Sequence, residues 1–122
     1  VMDIALDVPD VRACFEEAVK RGATPVSPPA ALEDEHGVYE TASIQAYGDT
    51  THTFVNRDRY RGAFAPGFRP IDPERYQEHT ARPVGLAAID HIVANVEEGK
   101  MNEWVEFYRK VRPVGPGWAP IR

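Results

Sequence analysis

This 122-residue sequence has a single cysteine, no long apolar run and no excess of basic over acidic residues. A single cysteine, Cys14, cannot form an internal disulfide, which predicts a reducing, cytoplasmic setting. No apolar run approaches the ~18 residues of a membrane helix, and no basic leader typical of a secretory signal opens the sequence. The formal charge of −5 argues against a nucleic-acid partner, because phosphate binding needs clustered Lys and Arg.

The sequence has enough apolar residues for a packed core, and its first half predicts a strand–helix–strand unit. Residues 2–8 are typical of a short strand, and Asp10 is a good N-cap for the helix that follows. The apolar stripe of that helix is Val11, Cys14, Phe15, Ala18 and Val19. Gly22 ends the helix. Three more strands are predicted, over residues 23–26, 38–47 and 50–56, with a proline-containing loop and an acidic turn between the first two.

The second half predicts an irregular connection, a strand and a helix. Residues 57–83 hold much of the proline, glycine and arginine, with aromatics that follow no period. Residues 87–96 read Ala-Ala-Ile-Asp-His-Ile-Val-Ala-Asn-Val, which indicates a buried strand. The helix that follows, residues 99–111, has the apolar stripe Met101, Trp104, Val105, Tyr108 and Val111. Residues 113–122 are predicted to form a loose tail.

The two halves share an internal repeat. Residues 2–8 align with residues 90–96, and an amphipathic helix follows each after a short polar break. In this register Asp3 takes the place of His91. Paired β-α-β-β-β modules are the simplest arrangement that accounts for the repeat.

His91 is the main candidate for a functional residue. On a buried strand it is either a core histidine with its hydrogen bonds satisfied or a metal ligand that donates a ring nitrogen. Asp90 either orients the ring as a hydrogen-bond acceptor or caps the strand.

The other candidates have structural interpretations. His52 is expected to be packed or half-exposed on its strand, and His36 and His79 to be solvated. Glu33, Asp34 and Glu35 form a solvated acidic turn, because they lack the ligand spacing of a calcium loop. Three apolar-stripe residues are assigned to packing: Cys14 as an inert core thiol, and Trp104 and Tyr108 as core aromatics.

Several stretches closely resemble the 4-hydroxyphenylpyruvate dioxygenase family. They are residues 3–5, 18–23, 47–54, 60–68, 89–96, 99–101 and 104–108. The motifs fall in the family's order, and the resemblance covers about residues 1–111. After Val111 the sequence departs from the family's pattern.

The resemblance implies an α+β protein with the vicinal oxygen chelate fold, built from β-α-β-β-β modules. The expected division is a metal-free N-terminal-domain module at residues 1–64, a linker at 65–86, the start of a truncated catalytic-domain module at 87–111 and a divergent tail at 112–122. Asp3 occupies the place in the metal-free domain that corresponds to His91.

The same resemblance implies a non-haem iron(II) enzyme of tyrosine and phenylalanine catabolism, and a homo-oligomer. Its 2-oxo acid substrate, 4-hydroxyphenylpyruvate, chelates iron and reacts with dioxygen to give homogentisate. His91 corresponds to the first iron ligand of the family. The second histidine and the glutamate lie farther downstream in the family, so this chain is not expected to be active alone.

Two alternatives stay open. Hydroxymandelate synthase uses the same substrate and metal site, and the residues that separate the two reactions would lie outside this sequence. A metal-free binding module of the same fold is the alternative from another functional class.

Overall fold

The computed structural model describes residues 2–81 and 85–111, with the backbone alone for residues 78–80. The predicted tail and the side chain of His79 therefore lie outside the described residues. Seven elements follow along the chain: β1 (Asp3–Asp7), α1 (Val11–Lys20), β2 (Pro25–Asp34), β3 (Gly37–Gln45), β4 (Thr51–Asn56), α2 (Pro73–Thr80) and α3 (Met101–Val111).

The four strands form one mixed sheet in the order β1-β4-β3-β2. The last strand of the run, β4, lies inside the sheet, parallel to β1 and antiparallel to β3. The edge strand β2 is antiparallel to β3. The element order is the predicted β-α-β-β-β, whereas the division at residues 64, 86 and 111 stays a prediction.

Helix α1 begins and ends where the sequence predicts. The carboxylate of Asp10 accepts a hydrogen bond from the backbone N–H of Ala13 at 2.8 Å, as an N-cap does. At the other end Gly22 adopts a φ of 103°, a conformation that residues with a side chain rarely adopt.

The core lies between α1 and one face of the sheet. Its buried apolar residues are Val8, Val11, Phe15, Ala18, Ala23, Ala42, Ile44, Phe54 and Val111. Val111 is the last residue of α3, and Phe107 packs against the same cluster. Helix α3 therefore covers the same face of the sheet as α1.

The prediction for β2 was wrong in length. A four-residue strand and a proline loop were expected, but one ten-residue strand is present. As an edge strand it pairs with β3 alone, and its register shifts between Ser27 and Ala30. Pro28 and Pro29 fall within that break, where a missing N–H costs no regular ladder bond.

Helix α2 lies inside the stretch predicted as irregular. Asp72 caps it by accepting a hydrogen bond from the N–H of Glu74 at 2.9 Å, and Pro73 occupies its first turn. Both residues are strong helix-start signals. They were overlooked because the segment has a high content of proline, glycine and arginine.

The predicted buried strand at residues 87–96 is not present. The segment makes no strand pairing with the described residues, and Ile89 and Val93 are 82% and 74% exposed. Apolar periodicity predicted the strand, but a strand also needs a neighbouring strand to take up its backbone hydrogen bonds. The described sheet contains β1, β4, β3 and β2, and none of these strands pairs with this segment.

Candidate functional site

His91 lies in the exposed segment that precedes α3. Its side chain is 70% exposed, so it is not a core histidine. Its Nδ1 lies 2.5 Å from Oδ2 of Asp90, a charge-assisted contact in which the carboxylate accepts. A proton held on Nδ1 leaves the lone pair of Nε2 free to bind a metal.

No other candidate ligand joins His91 in the described part of the chain. Within residues 2–81 and 85–111, no group of three His, Cys, Asp or Glu side chains could hold a metal ion. His36 lies at the β2–β3 turn and His52 inside the sheet. His91 therefore offers one ligand and not a complete site.

Asp3, the counterpart of His91 in the repeat, makes hydrogen bonds that join two strands of the sheet. Its Oδ1 accepts hydrogen bonds from the hydroxyls of Thr51 and Thr53 at 3.0 and 2.9 Å. Both threonines lie on β4, which pairs with β1 through this register. The carboxylate therefore ties two parallel strands together.

His52 is packed inside the sheet, which is one of the two environments expected for it. It is 8% exposed, with Nε2 2.8 Å from the Tyr108 hydroxyl and Nδ1 3.4 Å from the Ile4 carbonyl oxygen. An Nδ1–H that donates to Ile4 leaves Nε2 to accept from Tyr108. The two rings also make an edge contact, with centroids 5.6 Å apart.

Burial shifts the pKa of each member of this pair toward its neutral form. It lowers the pKa of His52 below its ordinary value of 6.5, against the opposing effects of the Ile4 carbonyl and Asp3. Burial, with a smaller effect of Tyr47, raises the pKa of Tyr108 to about 12. A neutral imidazole can accept the Tyr108 hydrogen bond throughout the neutral pH range.

Helix α3 meets the sheet through an aromatic face. The Trp104 ring makes edge contacts with Tyr47 at 5.9 Å and Phe107 at 5.3 Å, and Phe107 continues to Tyr108 at 5.2 Å. With Val111 these helix residues form a stripe at i, i+3, i+4 and i+7. The predicted stripe included Met101 and Val105, which are 63% and 47% exposed, and omitted Phe107. The observed stripe is therefore rotated about the helix axis relative to the predicted one.

The His52–Tyr108 contact was not predicted. Tyr108 was assigned to the core stripe, although a tyrosine in such a stripe usually needs a hydrogen-bond partner for its hydroxyl. That requirement is the signal in the sequence. It does not identify His52, which lies 56 residues away in the chain.

An open cavity of about 450 Å³ lies beside this aromatic face. Residues 47–50 of the β3–β4 loop line one side, and residues 93–97, just after His91, line the other. The segment that carries His91 is thus adjacent to the loop that also holds Tyr47 against α3.

The remaining candidates have structural roles. Asp34 accepts hydrogen bonds from the His36 N–H at 2.8 Å and the Tyr60 hydroxyl at 3.2 Å, which closes the β2–β3 turn. Cys14 is a half-buried free thiol against the core, and burial, with Asp10 as a smaller cause, raises its pKa. This agrees with an unreactive thiol. None of the described helices has the length and apolar character to cross a bilayer.

Comparison with known proteins supports the resemblance read from the motifs. The chain is 43% identical over 120 residues to 4-hydroxyphenylpyruvate dioxygenase of Dictyostelium discoideum and 41% identical to that of Pyricularia oryzae. Each alignment covers 98% of this chain but only 33% and 29% of the relative. No family model matches the chain.

The fold also has a close counterpart among solved structures. A mutant of 4-hydroxymandelate synthase from Streptomyces coelicolor superposes with a TM-score of 0.64 at 28% identity, over 89% of this chain and 29% of that one. The expected α+β class and vicinal oxygen chelate fold are confirmed. The chain is therefore homologous, over nearly all its length, to 4-hydroxyphenylpyruvate dioxygenases, and it spans about a third of the length of each relative.

Proposed function

We propose that this chain is part of a non-haem iron(II) dioxygenase that converts 4-hydroxyphenylpyruvate to homogentisate. The observation that carries the proposal is the 43% identity, over 98% of the chain, to an enzyme named for that reaction. The chain spans about a third of that relative, so the activity belongs to a protein that contains this sequence.

His91 is the residue of this chain that we assign to the iron. The exposed ring, with Nδ1 held by Asp90 and Nε2 without a hydrogen bond to the described residues, has the donor set of a metal-bound histidine. The proposed facial triad needs two more ligands. From the family resemblance, we assign these to the downstream part of the intact protein and not to this sequence.

Within this arrangement the chain's own residues orient and hold protons. Asp90 keeps a proton on Nδ1 of His91, which maintains the tautomer that presents Nε2 and limits rotation of the ring. A bound iron(II) ion would supply the dioxygen chemistry and the chelation of the 2-oxo acid. The described residues include no complete triad, so we expect no turnover from the 122-residue chain by itself.

Oxygen uptake with 4-hydroxyphenylpyruvate and iron(II) tests this proposal in the intact protein. His91→Ala should abolish uptake and reduce the bound iron, whereas His36→Ala, which alters an exposed turn histidine, should leave both unchanged. Uptake that survives His91→Ala would refute the assignment.

Hydroxymandelate synthase is a second candidate, favoured by the structural neighbour. The two reactions start from the same substrate, so product analysis separates them. Homogentisate supports the first proposal and 4-hydroxymandelate the second.

A metal-free binding module is the candidate from another class. The N-terminal half favours it, because Asp3 stands at the position that corresponds to His91 and accepts structural hydrogen bonds. Iron analysis of the intact protein discriminates. About one iron for each chain supports the dioxygenase, and no bound iron supports the binding module.

We also propose a cytoplasmic homo-oligomer. The free thiol Cys14 is consistent with a reducing compartment. The apolar side chains exposed between residues 86 and 93 are consistent with association.

A further inference from the structure

We infer that His52 is a positioning residue, which acts through Tyr108 to hold α3 and the end of the His91 segment in place. The inference rests on the proposed function for the role of His91. It concerns residues that the proposed site does not include. It is carried by one part-buried contact and by the course of the chain between that contact and His91.

The contact joins two parts of the chain. His52 lies on β4, the strand inside the sheet, and Tyr108 lies on the third turn of α3. Their hydrogen bond, 2.8 Å long, occurs within an aromatic face whose other contacts are ring to ring. Apolar packing tolerates sliding and rotation, whereas a hydrogen bond weakens steeply when its angle departs from linear.

The buried position of His52 makes the contact hard to replace. His52 is only 8% exposed, so its Nε2 would lose the Tyr108 hydrogen bond without gaining full access to water. An unpaired buried acceptor retains its desolvation penalty, so a small rotation of α3 is opposed by more than the value of one hydrogen bond. Arg21 adds a weaker contact by donating to the Lys110 carbonyl oxygen at 3.5 Å.

The chain between α3 and His91 is short and held at several points. The N–H of Trp104 donates to Lys100, and the N–H of Lys100 donates to Glu97, at 3.2 and 3.0 Å. The turn is therefore continuous with the helix. Residues 93–97 face the β3–β4 loop across the cavity, and Tyr47 of that loop touches Trp104. A shift of α3 would thus move the end of the segment that carries His91.

Hydrogen exchange measured by mass spectrometry tests the inference without iron. Tyr108→Phe keeps the ring and removes the hydroxyl, so the hydrogen-bonded amides of α3 and of Lys100, which donates to the Glu97 carbonyl oxygen, should exchange about 5- to 30-fold faster. The amides of β3 and β4 should not change. Tyr39→Phe is the matched control, because the Tyr39 hydroxyl makes no hydrogen bond with the described residues.

Substitutions of His52 separate the hydrogen bond from simple packing. His52→Gln retains a side-chain oxygen that can accept from Tyr108 and should restore most of the protection, whereas His52→Leu should not. Unchanged exchange in both Tyr108→Phe and His52→Leu would overturn the inference, as would a rise confined to α3 that leaves the Lys100 amide unaffected.

The same variants distinguish this inference from the proposed function. If wild-type intact protein binds no iron but Tyr108→Phe still speeds exchange at α3 and Lys100, the proposed function fails and the positioning contact stands. If iron binds and depends on His91 but exchange does not respond to Tyr108→Phe, the positioning role fails alone.

Discussion

Several carboxylates in this chain accept hydrogen bonds with structural roles. The partner was predictable from the sequence only where it lies close along the chain. The Asp10 cap was predicted because its partner lies three residues away. The pairing of Asp3 with Thr51 was not, because it spans 48 residues and depends on the register of β1 against β4. Asp90 was predicted as an orienting acceptor or a strand cap, and the structure shows the acceptor.

Asp10→Ala should lower the free energy of unfolding by about 1 kcal/mol, because the Ala13 N–H loses its partner at the start of α1. Urea unfolding measures the change. Glu16→Ala removes an exposed ion pair with Arg12 on the same helix and should cost no more than about 0.5 kcal/mol. Equal losses in the two variants would contradict the capping role.

The buried His52 should make stability depend on pH. Its pKa is lowered in the folded chain, so below about pH 6.5 the unfolded chain takes up a proton that the folded chain does not. Stability is therefore full above that pH and falls as the pH drops, until the folded pKa is reached. The slope from this single group cannot exceed about 1.4 kcal/mol per pH unit.

Urea unfolding at pH 8, 7, 6 and 5 measures this dependence. His52→Gln should flatten the plot of unfolding free energy against pH over that range, because it removes the imidazole whose pKa is lowered. His36→Gln is the control, because that side chain is 47% exposed and should leave the slope unchanged. An equally steep curve in His52→Gln would show that other groups cause it.

At the scale of the elements, local signals predicted α1 and α3 better than the edge strand β2, whereas α2 was missed. Helix α1 has its cap, stripe and terminal glycine within one short window, and its bounds were predicted. The length of β2 depends on pairing with β3, which no local pattern reveals. Helix α3 was predicted with its stripe rotated, because Phe107 and Val105 are equally apolar and only the position of the sheet selects between them.

The predicted strand at residues 87–96 shows the same limit. Its apolar pattern is real, yet Ile89 is 82% exposed while Ile44, on β3, is 2% exposed. Composition alone does not distinguish these two isoleucines. The difference lies in whether a neighbouring strand and a helix cover the side chain.

The same substitution at both isoleucines measures that difference. Ile44→Val should lower the free energy of unfolding by about 0.5–1.5 kcal/mol, because it removes a methylene from the packed core. Ile89→Val should change it by less than about 0.5 kcal/mol. Comparable losses at the two positions would mean that residues 87–96 are buried in solution, as the sequence had predicted.

At the scale of the whole molecule, the sheet face beneath α1 and α3 is well covered, whereas the segment before α3 is not. The core beneath α1 and α3 is continuous. Leu86, Ile89, Ile92 and Val93 are each at least half exposed, and their backbone makes no strand pairing with the described part of the chain. Exposed apolar segments with free backbone groups are sites at which other chains pair.

We therefore expect this chain to self-associate through residues 86–93. Light scattering coupled to size-exclusion chromatography, over a range of protein concentrations, should show a mass that rises with concentration. The charge of −5 opposes association, so added salt should strengthen it by screening the repulsion.

Val93→Lys should weaken the association about tenfold or more, because it places a charge where apolar side chains would meet. Ile71→Lys is the matched control, since Ile71 is 68% exposed and Val93 74%, but Ile71 lies outside the 86–93 segment. An equal effect of the two lysines would show that net charge alone governs association. A wild-type chain that stays monomeric at every concentration and salt level would show that the exposed segment does not pair with another copy.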